Sequence, residues 1–267
     1  MSALVEIEGL VIELDDGRRL VHDVDLRIPR GGSLGIVGES GSGKTLTCRA
    51  LLGILPDGVR VSAGSIRFEG ADLTDLSERE WRALWGRRLG AVFQDPASYL
   101  NPSIPVGAQL AESLRVAGGL TRRDARRRSV ELFASVGLRD PERVRRSYVH
   151  ELSGGMLQRV LIAIAIGNGP DVLVADEATT ALDVTVQAEV LDLIAELREQ
   201  RRLTLVLVSH DLAVVAQMCE ELVVFKDGEI VERGHTREVL RAPAHPYTQH
   251  LLASQERSGI ERLEALR

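Results

Sequence analysis

The sequence predicts an α/β fold in which a parallel-sheet core opens with an N-terminal antiparallel β subdomain and is interrupted by an α-helical subdomain. Three observations predict it. The first 35 residues fall into short strand-like runs separated by turn signals. Two mainly apolar runs, Val172–Ala175 and Leu203–Val208, flank a helical pattern at Val186–Arg202, as buried parallel strands joined by a crossover helix do. Between them and the opening, from Asp95 to Gly167, helical patterns alternate with breakers at Pro96, Pro102, Pro105, Gly118-Gly119, Gly137 and Pro141.

Each element follows in order. Leu4–Ile7, Leu10–Leu14 and Val24–Ile28 are strand-like, punctuated by Asp15-Asp16-Gly17 and Pro29-Arg30-Gly31-Gly32. Ser33–Val37 is an apolar strand running into a glycine-rich turn and a helix at Thr45–Leu52, the start of a parallel βα unit. The helical stretch divides the chain into 1–94 (antiparallel β subdomain and first part of the core), 95–167 (helical subdomain), 168–235 (second part of the core) and 236–267 (a peripheral helical tail with the turn His245-Pro246-Tyr247).

Composition bounds the function. With 267 residues, 44% hydrophobic and 27% charged, the chain has an ordinary globular composition, and at this size folding hides roughly 70–75% of the extended surface. Cys48 and Cys219 support neither a disulfide framework nor zinc-type spacing, so a reducing compartment is expected. The longest apolar run, Val160–Ile166, is too short to cross a bilayer, and no signal segment is visible. A net charge of −6 argues against general attraction to nucleic acid. Only two residues are lysine, Lys44 and Lys226, which makes Lys44 conspicuous.

Gly38-Glu39-Ser40-Gly41-Ser42-Gly43-Lys44-Thr45 fits G-x4-G-K-[ST] between a buried strand and a helix start. Glycines let the backbone wrap a phosphate, backbone N–H groups and the helix N-terminus attract it, Lys44 reaches the β- and γ-phosphates, and the Thr45 hydroxyl takes Mg²⁺. Asp176 and Glu177 emerge at the carboxyl end of the strand Val172–Ala175, where open α/β sheets place ligands. Asp176 is assigned to the Mg²⁺ shell and Glu177 to the attacking water. His210 follows the next strand and can reach a γ-phosphate from the same edge. Leu152-Ser153-Gly154-Gly155-Met156-Leu157-Gln158 caps an apolar helix with Ser153, a second anion-seeking helix N-terminus.

Ser153–Gln158, the phosphate loop, Asp176-Glu177 and the downstream Ser209-His210 together resemble the ATP-binding subunit of ATP-binding cassette (ABC) transporters over nearly the whole chain. The resemblance implies a P-loop NTPase (RecA-like) core and a head-to-tail dimer. In it each ATP lies between one chain's Gly38–Thr45 loop and the partner's Ser153, Gly154, Gly155 and Gln158. It also implies that Gln94, in Phe93-Gln94-Asp95-Pro96, touches Mg²⁺ and water, and that Ala181-Leu182-Asp183 lines the dimer seam. Thr179–Ala188, Leu100-Asn101-Pro102 and His245-Pro246-Tyr247-Thr248 resemble the peptide/nickel importer group. Leu46–Cys48, Leu52–Pro56, Gly58–Arg60 and the Ser-Gly-Gly-Met-Leu-Gln form at Ser153–Gln158 look most like the D-type ATPase of nickel importers.

The partners so implied are a companion ABC ATPase, two transmembrane permeases and an extracytoplasmic solute-binding protein, with this subunit peripheral on the cytoplasmic face of the cell membrane. The chain departs from the family pattern at Leu14, where an adenine-stacking aromatic is usual, and at Ala178, where proline is usual. It also lacks the cysteine cluster of some relatives, so no iron–sulfur centre is expected. The arginine runs Arg122–Arg128 and Arg139–Arg146 read as solvated helix faces, with contact to acidic permease loops as a second use. Trp81 and Trp85, four apart, read as a packed stripe. The competing class, a non-transport ABC ATPase of DNA repair or translation, resembles longer chains with coiled-coil insertions or tandem cassettes.

Overall fold

The computed structural model describes residues 3–178 and 183–264, with side chains through residue 255. The chain forms two compact units, residues 1–75 with 205–267 (unit 1) and residues 76–204 (unit 2).

Unit 1 begins with β1 (Ala3–Leu14) and β2 (Arg19–Pro29), an antiparallel hairpin. The two strand-like runs of the sequence are here one strand: the register of β1 shifts around Gly9, whose N–H donates to Asp25 Oδ1 at 2.7 Å, a bulge that reads as a break in the apolar alternation. Next come β3 (Ser33–Val37), α1 (Lys44–Leu52), β4 (Val59–Phe68) and the short β5 (Ala71–Asp72). β2, β1, β4 and β5 lie in that order in an antiparallel sheet.

Unit 2 starts at α2 (Glu78–Leu84), where Ser77 and Glu80 form a reciprocal capping box. Trp81 on α2 is buried and stacks on Trp85 with ring centroids 6.1 Å apart, the packed stripe expected. β6 (Leu89–Phe93) leads to a 3-10 turn (Pro96–Tyr99) and then to α3 (Val106–Val116), α4 (Arg122–Ser135), α5 (Pro141–Arg146) and α6 (Gly154–Ile166). Leu110, Leu114, Leu132, Phe133, Val160 and Ile162 fill the space between these helices. β7 (Val172–Asp176) pairs in parallel with β6, and α7 (Val184–Arg201) packs on α6. Both arginine runs lie mainly on exposed faces threaded by ion pairs such as Arg128–Glu131 (3.0 Å) and Arg127–Asp124 (3.1 Å), whereas Arg145 is largely buried and pairs with Glu142 at 3.2 Å.

The chain then returns to unit 1 with β8 (Thr204–Val208), α8 (Leu212–Met218), β9 (Glu221–Lys226), β10 (Glu229–His235), α9 (Thr236–Arg241) and α10 (Pro246–Glu264). β3 is paired in parallel with β8 on one side and β9 on the other, and β10 closes the edge antiparallel to β9. All five residues of β3 and of β8 are buried, which is why both read as unbroken apolar runs rather than alternating ones. Cys48 and Cys219 are buried and not joined in a disulfide. Among the described residues no helix is long and apolar enough to cross a membrane.

Candidate functional site

In unit 1 the buried strand β3 stops at Val37 and the chain turns through Gly38–Gly43 into α1. Only glycine fits the first position: Gly38 has φ 147°, and a Cβ there would stand 2.2 Å from the Phe225 carbonyl oxygen of β9. Gly43 holds the N-cap of α1 and offers no side chain to its first amides, so the positive end of the helix is left to a ligand. Lys44 is 5% exposed, and its ammonium donates to the carbonyls of Gly38 (2.8 Å) and Glu39 (2.6 Å) and to Ser42 Oγ (3.3 Å). Glu39, Ser40 and Gly41 are exposed at the loop's rim, and Thr45 is half-buried in the first helical turn. The loop's far side is tied by the Gly228 N–H, which donates to the Ser42 carbonyl at 3.0 Å. A buried cation, flexible glycines and an uncapped helix start on one loop fit a polyphosphate.

His210 joins this loop through strand register. Ile36 of β3 is opposite Val208 of β8, so Gly38 and His210 each stand two residues beyond a paired position on neighbouring parallel strands, about 4.8 Å apart. Ser209 N–H donates to the Ile36 carbonyl at 3.1 Å, and Asp211 caps α8 through Ala213 N–H at 2.8 Å. The His210 side chain is exposed. Leu14 ends β1 half-buried, its N–H donating to the Arg18 carbonyl at 2.9 Å.

Unit 2 carries the acidic and signature residues. Phe93 of β6 is opposite Asp176 of β7, which places Gln94 and Glu177 one step beyond, side by side at the carboxyl ends of the two strands. Gln94 is exposed and Asp176 is 5% exposed. Glu177 is half-buried and adopts φ 49°, a left-handed conformation uncommon for a residue other than glycine. Ala178, after it, is buried. The carboxylate and amide oxygens of Asp176 and Gln94 are the hard donors that Mg²⁺ accepts.

The signature segment meets the seam residue within the same unit. Ser153 caps α6, its hydroxyl accepting from Met156 N–H at 3.4 Å, and Ser153 and Gly154 are exposed. A Cβ on Gly155 would lie 2.5 Å from Val186 Cγ1, so the starts of α6 and α7 touch there. Asp183 caps α7, accepting from Val186 N–H at 3.0 Å, and is exposed beside them. Gln158 is turned the other way: it is 1% exposed and its Nε2 has no partner among the described residues. Ala181 and Leu182, with Thr179 and Thr180, lie outside the described residues.

One contact had no counterpart in the sequence reading. Tyr247, noted there only within a group-marking motif, places its hydroxyl oxygen 3.0 Å from the Glu39 N–H. Nothing local connects residues 208 positions apart, so no sequence signal short of the motif itself points to this bond.

The chain matches the family model described as "ABC transporter" over residues 21–180. It is 43% identical over 269 residues to the dipeptide transport ATP-binding protein DppD of Haemophilus influenzae, covering 99% of this chain and 82% of the relative. It is 41% identical to the oligopeptide transport ATP-binding protein OppD of Bacillus subtilis, covering 100% of this chain and 76% of the relative. Among solved structures, cbiO1 of Clostridium perfringens, part of the ABC transporter complex cbiONQ, aligns with TM-score 0.77 at 27% identity over 91% of this chain and 92% of that one. The ATP-binding cassette MJ0796, in a dimeric post-hydrolysis state bound to ADP and Pi, aligns with TM-score 0.78 at 26% identity over 87% of this chain and 99% of that one. The family match over residues 21–180 and the identity to these peptide-transport subunits show that the chain belongs to the ABC transporter family, in the group of its peptide-transport ATP-binding subunits.

Proposed function

We propose that this chain is the ATP-hydrolysing subunit of an importer and that it energises the uptake of peptides through two membrane permeases, paired with a second ATPase subunit and supplied by an extracytoplasmic solute-binding protein. The observation that carries the reading is the buried Lys44 ammonium, bonded to the carbonyls of the glycine loop from the first residue of a helix with no side-chain cap, in a chain whose relatives are named for dipeptide and oligopeptide transport. The finer cargo reading, nickel or a nickel chelate, rests on Leu46–Arg60 and Ser153–Gln158 alone, and the relatives quoted carry peptide names.

Lys44 and the amides of Gly38–Gly43 bind the terminal phosphates, and Leu14 supplies apolar contact to the base. Thr45, Gln94 and Asp176 would hold Mg²⁺, which when bound would neutralise phosphate charge. Glu177 orients and deprotonates the attacking water, and His210 hydrogen-bonds the γ-phosphate. Ser153, Gly154 and Gly155 present backbone N–H groups to the nucleotide of the companion subunit, Asp183 lines the seam, and Gln158 supports that helix from beneath. The division into 1–94, 95–167, 168–235 and 236–267 belongs to the same reading, with 95–167 passing motion to the permeases at the cytoplasmic face of the membrane.

Glu177→Gln keeps the shape of the side chain and removes its basicity. It should retain ATP binding, abolish turnover and accumulate a nucleotide-bound dimer by size-exclusion chromatography with light scattering. Steady-state hydrolysis at the wild-type rate would exclude Glu177 as the base.

A further inference from the structure

The C-terminal helix α10 is bonded to both loops of unit 1 that the function uses. At its first turn, Tyr247 is 8% exposed and its hydroxyl oxygen accepts from the Glu39 N–H at 3.0 Å. Two turns on, the Gln255 amide makes a double contact with the turn after β8: its Oε1 accepts from the Leu212 N–H at 2.9 Å and its Nε2 donates to the His210 carbonyl.

Peptide planarity shows what these bonds hold. The Glu39 N–H and the Gly38 carbonyl belong to one rigid trans peptide and point to opposite sides. The Gly38 carbonyl accepts from Lys44 Nζ at 2.8 Å, so the Tyr247 bond grips the far edge of the plane that positions the loop's only cation. In the same way the His210 carbonyl and the Leu212 N–H belong to the two peptides on either side of Asp211, and one Gln255 side chain spans both.

The start of α10 is itself anchored to the sheet. Glu232 of β10 accepts from the N–H groups of Ala244 (2.7 Å) and His245 (3.0 Å), and His245 Nδ1 accepts from the Tyr247 N–H at 3.2 Å. Lys226 of β9 stands over the Tyr247 ring, 5.3 Å from its centroid. Burial, with the nearby carboxylates of Glu39 and Asp227, raises the Tyr247 phenol above its ordinary value, so it stays neutral.

We propose that α10 straps the phosphate loop and the histidine turn, with Tyr247 and Gln255 as positioning residues that set the peptide planes at Gly38–Glu39 and around Asp211. This rests on the reading above that the Gly38–Thr45 loop takes nucleotide phosphate and that His210 faces it. The strap makes the tail a control point: whatever displaces α10 relaxes both loops together.

The test uses the full chain and two substitutions, with Gln249→Leu, on the same helix but bonded only to the turn before it, as control. Tyr247→Phe removes one oxygen. It should speed hydrogen exchange of the Glu39 amide in the nucleotide-free protein at least fivefold and weaken Mg·ATP binding by calorimetry about three- to tenfold, the scale of one hydrogen bond. Gln255→Leu should speed exchange at Leu212, leave ATP affinity within twofold and lower kcat by about three- to tenfold. Unchanged exchange at Glu39 in Tyr247→Phe, or losses in both variants that merely track a fall in melting temperature shared with Gln249→Leu, would overturn the strap. If the wild-type chain bound no ATP, the underlying reading would fail instead, and exchange at Glu39 and Leu212 would still decide whether α10 holds the two loops.

Discussion

Alanine at Gly38 should damage the protein more than alanine at Gly41, although both glycines have positive φ in the same loop. At Gly38 a Cβ would stand 2.2 Å from the Phe225 carbonyl oxygen and 2.9 Å from Ser42 Oγ. An ordinary C···O approach is about 3.3–3.6 Å, so β3 and β9 would have to part by roughly 1 Å. The obstacle is the backbone of β9, hydrogen-bonded to β3 on one side and β10 on the other, which has little room to yield. Overpacking of this kind costs about 1–3 kcal/mol, and holding alanine at φ 147° adds about 1–2 kcal/mol. A total of roughly 2–5 kcal/mol corresponds to a melting temperature lower by about 5–15 °C at this chain length. Gly41 has φ 81° and nothing within 4 Å of its virtual Cβ, so only the backbone cost of about 1–2 kcal/mol applies. Thermal melts followed by circular dichroism should rank wild type above Gly41→Ala above Gly38→Ala, and calorimetry should show ATP affinity falling furthest in Gly38→Ala. Melting of the two variants within 2 °C of each other would refute the packing argument.

Three further outcomes are expected. Lys44→Ala removes a charged donor from the loop and should weaken ATP binding by about 10- to 100-fold in calorimetry, since charge-assisted hydrogen bonds contribute about 1.5–3 kcal/mol; unchanged affinity would rule out the phosphate-loop assignment. Leu14→Tyr supplies the aromatic face that the chain lacks there and should tighten ATP binding by about 2- to 12-fold, the worth of roughly 0.5–1.5 kcal/mol of ring contact; no change would place Leu14 away from the base. Glu232 is partly desolvated, which raises its pKa, but the nearby Thr248 side chain, hydrogen bonds from the Ala244 and His245 amides and the charge of His245 outweigh this and hold the carboxyl below its ordinary value of 4.5. A depressed carboxylate contributes stability above the unfolded value that is lost as pH falls through the folded one. Glu232→Gln should therefore melt below wild type at pH 6–8, with the gap closing below about pH 4.5; a gap that persists in acid would show that the carboxylate charge is not what anchors the turn.

Much of the site is legible because each of its parts is local. Gly38–Thr45 needs only a buried strand, a permissive turn and a helix start in succession, and β3 and α1 supply these over twenty residues. Asp176 and Glu177 follow an apolar strand for the same reason, and Ser153 precedes an apolar helix. What local pattern misreads is continuity and direction. The bulge at Gly9 makes one strand look like two, and the apolar run after Ser153 gives no hint that Gln158 is buried. The left-handed turn at Glu177 is likewise invisible, because no glycine marks it.

By itself the amino-acid sequence determined the fold class and the family and singled out the candidate site residues, since strand burial, glycine turns and helix caps are properties of a few consecutive residues. Tertiary structure alone decided which strand ends are neighbours, and that Tyr247 and Gln255 hold loops 208 and 45 residues distant, as measured to Glu39 and His210. Such bonds depend on where a sheet delivers its edges in space, and parallel pairing brings together segments whose separation along the chain places no limit on their contact.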